Sequence, residues 1–304
     1  MIAGIETGGT KVICAIAASS APGTIVERLR IPTTSPAETL GAVRSFLERY
    51  ASAGELDAVG LAAFGPVNVD RSSPSYGWIT STPKAGWRNT DIPRALGLGD
   101  AMPLQVVSDV TGSAVGEQRS GAGIGMRNIA YVTVGTGVGA GFAADGVPFL
   151  QRSHPEMGHL PVRRYPGDTF PGNCPFHGDC LEGLVSGPAI RARWGRPGEQ
   201  LGALRSEAVP LLAFYVAQLL AAVTYTVAPD RIVLGGGVLK LPGLLQASRE
   251  GLAGVVGGAL EGHPLTLPGS GYVCSPVLAD LAGVHGALFL AHDLAGNRAP
   301  LTAV

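Results

Sequence analysis

Charge is scarce in this chain. Asp, Glu, Lys and Arg make up 15% of its 304 residues, and 22 basic against 23 acidic side chains leave a formal net charge of −1. No long run of one sign occurs, which excludes an electrostatic nucleic-acid or membrane-surface binder. Cysteine is scarce too. Of the four present, Cys174 and Cys180 stand at a metal-like spacing. Cys14 and Cys274 lie in apolar strand-like runs and read as buried thiols of a reducing, cytoplasmic protein rather than as a disulfide framework. No basic-then-apolar leader precedes Ile2-Ala-Gly-Ile-Glu6, so no secretory signal is expected. Leu211 to Ala228 carries no charge and has borderline length for a membrane span. Gln218, Thr224, Tyr225 and Thr226 interrupt it, and Pro210 suits a helix first turn, so it reads as a buried core helix.

Glycine and apolar side chains are what the chain has in quantity. Its 45 glycines fit many tight backbone turns around ligands, and a hydrophobic content of 46% can supply two cores, hence two domains. The most informative stretch is Glu156-Met-Gly-His159 followed by Cys174-Pro-Phe-His177-Gly-Asp-Cys180-Leu-Glu182. His159, Cys174, His177 and Cys180 offer two nitrogens and two sulfurs, enough to close a tetrahedral, structural Zn²⁺ site. Glu156 and Glu182 flank those ligands, so the metal would fix where both carboxylates point. That combination suggests a site for a hydroxyl-rich molecule.

One device occurs twice. Ile2 to Ile16 and Ile129 to Ala143 each read as strand, Gly-rich turn, strand. The first is followed by a strand over 24–32, a helix over 36–52, a strand over 58–64, a short strand over 105–108 and a helix over 110–120. The second leads to helices over 181–194 and 207–227, the strand Arg231-Ile-Val-Leu, a helix after Gly235-Gly-Gly237, and an apolar helix over 280–294. Leu212, Val216, Leu219, Val223 and Val227 recur every three or four positions on one helical face. Two such halves imply a duplication around a cleft: a lobe over 1–122, a lobe over 123–304 whose last helix can pack back on the first, and a hinge near Gly121 to Arg127.

Three glycine turns accept either a structural or a phosphate-binding reading. In Gly8-Gly9-Thr10-Lys11, bare backbone N–H groups, a hydroxyl and a cation can meet an anion. Gly135-Thr136-Gly137-Val-Gly139 is its counterpart. Gly235-Gly236-Gly237 opens a helix whose N-terminus suits an adenine nucleotide. None is a Walker A loop or a complete G-x-G-x-x-G. Asp109 ends a strand and begins a helix. It is either a general base for phosphoryl transfer to a hydroxyl or simply the helix N-cap.

Over nearly its whole length the chain resembles the ROK family of repressors, open reading frames and sugar kinases, in particular its bacterial fructokinase branch. The resemblance rests on Gly4-Ile-Glu-Thr-Gly-Gly-Thr-Lys11, Phe64-Gly-Pro66, Ser81-Thr-Pro-Lys-Ala-Gly-Trp87, Ser108-Asp-Val110 and Val132-Thr-Val-Gly-Thr-Gly-Val-Gly139. Ser153-His-Pro-Glu-Met-Gly-His159, the Cys174 to Ile190 run and Pro229 to Gly237 complete it. It implies an α/β, actin-like ATPase (ribonuclease H-like) fold, ATP with Mg²⁺, and Zn²⁺ held by His159, Cys174, His177 and Cys180. It also implies Asp109 as base, a sugar pocket at Gly65, Ser108, Asp109, Glu156, His159 and Glu182, and a homodimer. Two departures stand out: Ser108 replaces the Asn of many members, and Glu6 replaces their Asp, which keeps a carboxylate for Mg²⁺.

The resulting expectation is an ATP-dependent hexose kinase converting fructose to fructose 6-phosphate, with a small-molecule sugar as its only partner beyond a second copy. The alternatives are a glucose, mannose or amino-sugar kinase and, from another class, a sugar-sensing regulator. The latter would carry a helix-turn-helix ahead of the hairpin, and none is seen here. Trp78 and Trp87 either cover a sugar face or pack beneath their loop.

Overall fold

Apolar residues alternating along the first 32 positions build three antiparallel strands: β1 (Ile2–Thr7), β2 (Lys11–Ala17) and β3 (Ile25–Pro32). These belong to a computed structural model that describes residues 1–99, 101–149, 153, 155–260, 262–263, 265 and 270–297. Helix α1 (Pro36–Ala51) comes next, started by the Ser35 hydroxyl accepting from the Glu38 N–H and burying Leu40, Val43, Phe46 and Leu47. Strand β4 (Ala58–Ala63) pairs in parallel with β1. A two-stranded ribbon, β5 (Trp78–Ile79) with β6 (Thr90–Asp91), and one turn of helix, α2 (Ile92–Ala95), lead to β7 (Leu104–Ser108) and α3 (Asp109–Ser120). The first sheet therefore has the order β3-β2-β1-β4-β7.

The second sheet repeats that plan. Strands β8 (Asn128–Val134), β9 (Val138–Ala144) and β10 (Val147–Pro148) run in sequence, and β11 (Arg231–Gly235) and β12 (Val273–Cys274) add in parallel beside β8, giving β10-β9-β8-β11-β12. Its helices are α4 (Leu181–Val185), α5 (Gly187–Trp194), α6 (Arg205–Val227) and α7 (Leu244–Val256); α8 (Ala282–His292) closes the order. The single helix expected over 181–194 is broken at Ser186. Its ψ of 162° is extended, its hydroxyl caps the Ala189 N–H, and Pro188 has no N–H with which to continue α4. Helix α6 begins two residues earlier than expected, so Pro210 lies inside it rather than in its first turn. The stretch Gly202–Val227 is long and apolar enough to cross a membrane, yet 67% of its apolar 18-residue window is buried within the protein.

The chain gathers into two compact units. One comprises Met1–Gly125, Gly141–Pro155 and Val277–Val304; the other comprises Met126–Ala140 and Glu156–Pro276. In the first unit, Ile5, Val12, Cys14, Leu40, Val43, Leu61 and Trp87 share one core. On the other sheet face Ile2, Ile13 and Ala15 pack against Val284, Leu288 and Ala291 of α8. Trp87 is fully buried there, so it does not cover a sugar. Glu117 of α3 is also fully buried; its carboxylate accepts the N–H groups of Ala122 (2.7 Å), Val277 (3.2 Å) and Leu278 (2.8 Å).

Helices α3 and α8 approach until backbones touch. A Cβ on Gly286 would stand 1.8 Å from the Gly112 carbonyl oxygen, and one on Gly116 would stand 2.1 Å from that of Ala282. Gly286→Ala should therefore cost about 1–3 kcal/mol or more, because no flexible side chain can yield. Gly41→Ala in α1, where an added Cβ meets nothing within 4 Å, should instead gain up to about 1 kcal/mol. Urea unfolding of both variants checks the contrast, and equal stabilities would refute it.

Candidate active site

The β1–β2 turn is a tightly bonded hairpin. Gly8 donates its N–H to the Lys11 carbonyl (2.8 Å), and its own carbonyl accepts from the Thr33 hydroxyl (2.7 Å). The Lys84 ammonium donates to the Gly9 carbonyl at 2.6 Å, while Thr10 stands exposed at the tip. Lys11, the cation expected to serve an anion here, points at Asp280 instead, 2.9 Å away, and Arg30 shares that carboxylate at 2.8 Å. Gly65 follows β4, where the Phe64 N–H returns to the Thr7 carbonyl (2.9 Å), and its bond to Pro66 is cis.

At the start of α3 the structure divides two roles that the sequence left open for one residue. Ser108 is the N-cap: its hydroxyl accepts the Thr111 N–H (3.1 Å) and donates to the Thr111 hydroxyl (2.8 Å). With its residue 2% exposed, this hydroxyl is engaged by the start of the helix. Asp109 is the first helical residue, half-buried, with Oδ1 accepting the Val110 N–H (2.8 Å). The helix N-terminus favours its negative charge. Glu6 on β1 accepts the Val284 N–H at 3.1 Å. Loss of solvation, then the negative charge of Asp109, push its carboxyl up to about 7, against an opposing pull from Lys11. A carboxylate such as Glu6 is a natural ligand for a hard divalent cation.

In the other unit, the β8–β9 hairpin closes through Gly135 N–H to the Gly137 carbonyl (2.8 Å), and the Gly135 carbonyl accepts the Gly187 N–H at the start of α5 (2.7 Å). Thr136 is exposed at its tip and Gly139 lies half-buried in β9. Glu182 reaches this hairpin: its Oε2 accepts the Val138 N–H at 2.8 Å. Gly236 needs its missing side chain, with φ +100° and the Val134 carbonyl 2.3 Å from a built Cβ. Gly237 does not, since a Cβ there meets nothing within 4 Å. Gly235 ends β11, after which the chain makes a single 3-10 turn over Gly237–Lys240, and α7 starts only at Leu244. A turn that short brings little of the helix dipole expected at this point.

His159, Cys174, His177 and Cys180 converge, their ligand atoms all within 4.8 Å of one another. His159 Nδ1 lies 3.5 Å from Cys180 Sγ and 3.7 Å from Cys174 Sγ, and His177 Nδ1 lies 3.8 Å from Cys174 Sγ. Donors bonded to one tetrahedral zinc stand roughly 3.3–3.8 Å apart, so this set fits the ion. Burial pushes the metal-free Cys180 thiol up to about 11, which a cation beside it would reverse. The other nitrogen of His159, Nε2, is 3.9 Å from Glu156 Oε2, so the ring can hold metal through one atom and face that carboxylate with the other. Between His159 and Cys174, Asp168 fastens the chain: it accepts from Arg193 (2.6 Å) and the Tyr215 hydroxyl (2.6 Å), and these partners hold its carboxyl well below the usual range.

A profile of the ROK family matches residues 2–294. The chain belongs to the ROK family. A fructokinase of Zymomonas mobilis is 40% identical to it over 291 residues, 94% of this chain and 95% of that one. A fructokinase of Pediococcus pentosaceus is 38% identical over 297 residues, 98% and 99% of the two chains. Among solved structures, a ROK hexokinase from Thermus thermophilus superposes with a TM-score of 0.70 at 26% identity, covering 96% of this chain and 97% of its own. The repeated sheets are thus the two halves of the actin-like ROK fold.

Within this ROK chain, sequence reasoning missed Asp280 as the carboxylate shared by Lys11 and Arg30, the tie from Glu182 to Val138, and Asp168. Lys84 had a signal, in the Thr-Pro-Lys-Ala-Gly-Trp run, but no assigned contact. His154 lies outside the described residues.

The ROK metal centre and Glu6 each yield a test. Purified protein should contain about one zinc per chain, and Cys180→Ser should lose it. Elemental analysis finding no zinc in protein never exposed to chelator would sink the centre. For Glu6, the folded state keeps a proton to about pH 7 that the unfolded chain releases near 4.5. Stability therefore falls as pH rises through that window, and the cost is complete above it. Without nucleotide or magnesium, Glu6→Gln should melt above wild type at pH 8, with a smaller gap at pH 5. A gap independent of pH would mean that Glu6 is not held protonated.

Proposed function

We propose that this chain is an ATP-dependent hexose kinase that converts fructose to fructose 6-phosphate. Near-complete coverage by relatives named fructokinases carries the substrate assignment. The geometry within each unit supports the reaction class. Asp109, at a helix N-terminus and relieved of capping by Ser108, accepts the proton of the sugar hydroxyl as that oxygen bonds to the γ-phosphorus and the bond to the β-phosphate oxygen breaks. The hairpins at Gly8–Lys11 and Gly135–Gly139 and the bare Gly237 offer backbone to the nucleotide. Mg²⁺, when bound, would neutralise charge on the phosphates, with Glu6 as the carboxylate beside it. Glu156, His159 and Glu182 recognise sugar hydroxyls, together with Gly65. Zinc is structural, since four protein ligands leave no open position. The family resemblance supports a cytoplasmic enzyme and a homodimer.

A coupled ADP-release assay across a panel of hexoses tests the reading. Fructose should exceed glucose in kcat/KM by about tenfold or more; equal efficiencies would remove fructose and leave the kinase. Asp109→Asn should lower kcat by a factor of about 10² or more with an unchanged melting temperature. Near-normal turnover in that variant would rule out Asp109 as the base.

A further inference from the structure

Lys84 is a basic group that the chemistry above leaves without a task. Its backbone is held by a packed side chain: Trp87 is fully buried, its indole N–H donates to the Thr34 carbonyl (2.8 Å), and its ring meets Phe64 edge-on at 5.1 Å. Between them the Trp87 N–H donates to the Lys84 carbonyl (3.2 Å), and the Lys84 N–H donates to the Thr82 hydroxyl (3.3 Å). From this anchored turn the half-buried side chain reaches the phosphate hairpin and places its ammonium 2.6 Å from the Gly9 carbonyl.

An ammonium has three N–H donors and no acceptor. One donor goes to Gly9. Among the described residues no carboxylate lies within 4.0 Å of Lys84, whereas Lys11 is turned toward Asp280. A half-buried cation with no counter-charge is unfavourable until an anion arrives, and this one stands on the backbone of a glycine hairpin. Its position calls for a phosphate.

We propose that Lys84 is a catalytic residue that contacts the γ-phosphoryl group of bound ATP. It stabilises the charge on the equatorial oxygens while the γ-phosphorus leaves the β-phosphate oxygen and bonds to the sugar oxygen, whose proton goes to Asp109. The inference rests on the kinase reading. The competing role is a brace, in which the ammonium only steadies the Gly9 carbonyl.

Calorimetry with Mg²⁺ and either ADP or a non-hydrolysable ATP analogue separates the two without turnover. Lys84→Met should weaken the analogue by about tenfold or more while ADP stays within about twofold, because ADP has no γ-phosphate. Lys84→Gln, which keeps a donor for Gly9 but no charge, should behave like Lys84→Met, and Lys84→Arg should retain the preference for the analogue. In both neutral variants kcat should fall by about 10² or more with fructose affinity unchanged. Equal weakening of both nucleotides, wild-type behaviour of Lys84→Gln, or no change at all would overturn the role of Lys84 alone. Wild-type protein that binds neither nucleotide would overturn the kinase reading and this inference with it.

Discussion

Backbone-to-backbone contact around α8 is the constraint on which the first unit depends. Gly4 of β1, Gly60 of β4 and Gly116 of α3 each face a main-chain atom of α8 where a Cβ would stand, Gly286 of α8 faces the backbone of Gly112, and a Cβ on Gly283 would press on the Glu6 side chain. Glycine costs conformational entropy in helices and strands, so this density of it has a return elsewhere. That return is position. With α8 pressed against β1, the Val284 N–H reaches Glu6, and Asp280, just ahead of the helix, reaches Lys11 and Arg30. Against the same helix α3 is fixed, with Asp109 at its start. A carboxylate pair, a cation pair and a helix N-terminus are thus set by how closely three elements pack.

The second unit meets a similar problem largely through its loops. Its loops carry the polar groups, and loops are fixed here by local ties. Asp168 gathers Arg193 of α5 and Tyr215 of α6 around one buried carboxylate, a geometry in which removing Arg193 takes away the close counter-charge. Glu182 follows Cys180 by two positions and bonds the β8–β9 hairpin. The His/Cys cluster and the β8–β9 turn are therefore linked through one side chain.

What was legible in the sequence was local. The two hairpins, the Cys-x₂-His-x₂-Cys run, the parallel strands and most helices declare themselves within a few residues, through turn glycines, ligand spacing and apolar periodicity. Contacts of long sequence separation did not. Nothing near Lys11 indicates a carboxylate 269 positions away, and Glu117 gives no local hint that it gathers the backbone of Val277 and Leu278. At Ser108-Asp109 either residue can cap a helix, and only the backbone angles assign the cap to serine. At Ser186-Gly-Pro188 the apolar run hid a turn signal that was present. Trp87 suited a sugar or a core, and core packing took it.

The order of synthesis meets an obstacle in this architecture. The second unit is complete once Pro276 has been made, but the first still lacks the helix that covers Ile2, Ile13 and Ala15. As the chain leaves the ribosome, the earliest-made sheet keeps an apolar face uncovered while the whole second unit is translated. Domains that wait in this way are exposed to aggregation and to chaperones. Truncation ahead of Ala282 would therefore harm the N-terminal sheet, far away in sequence, more than the strands made just before it.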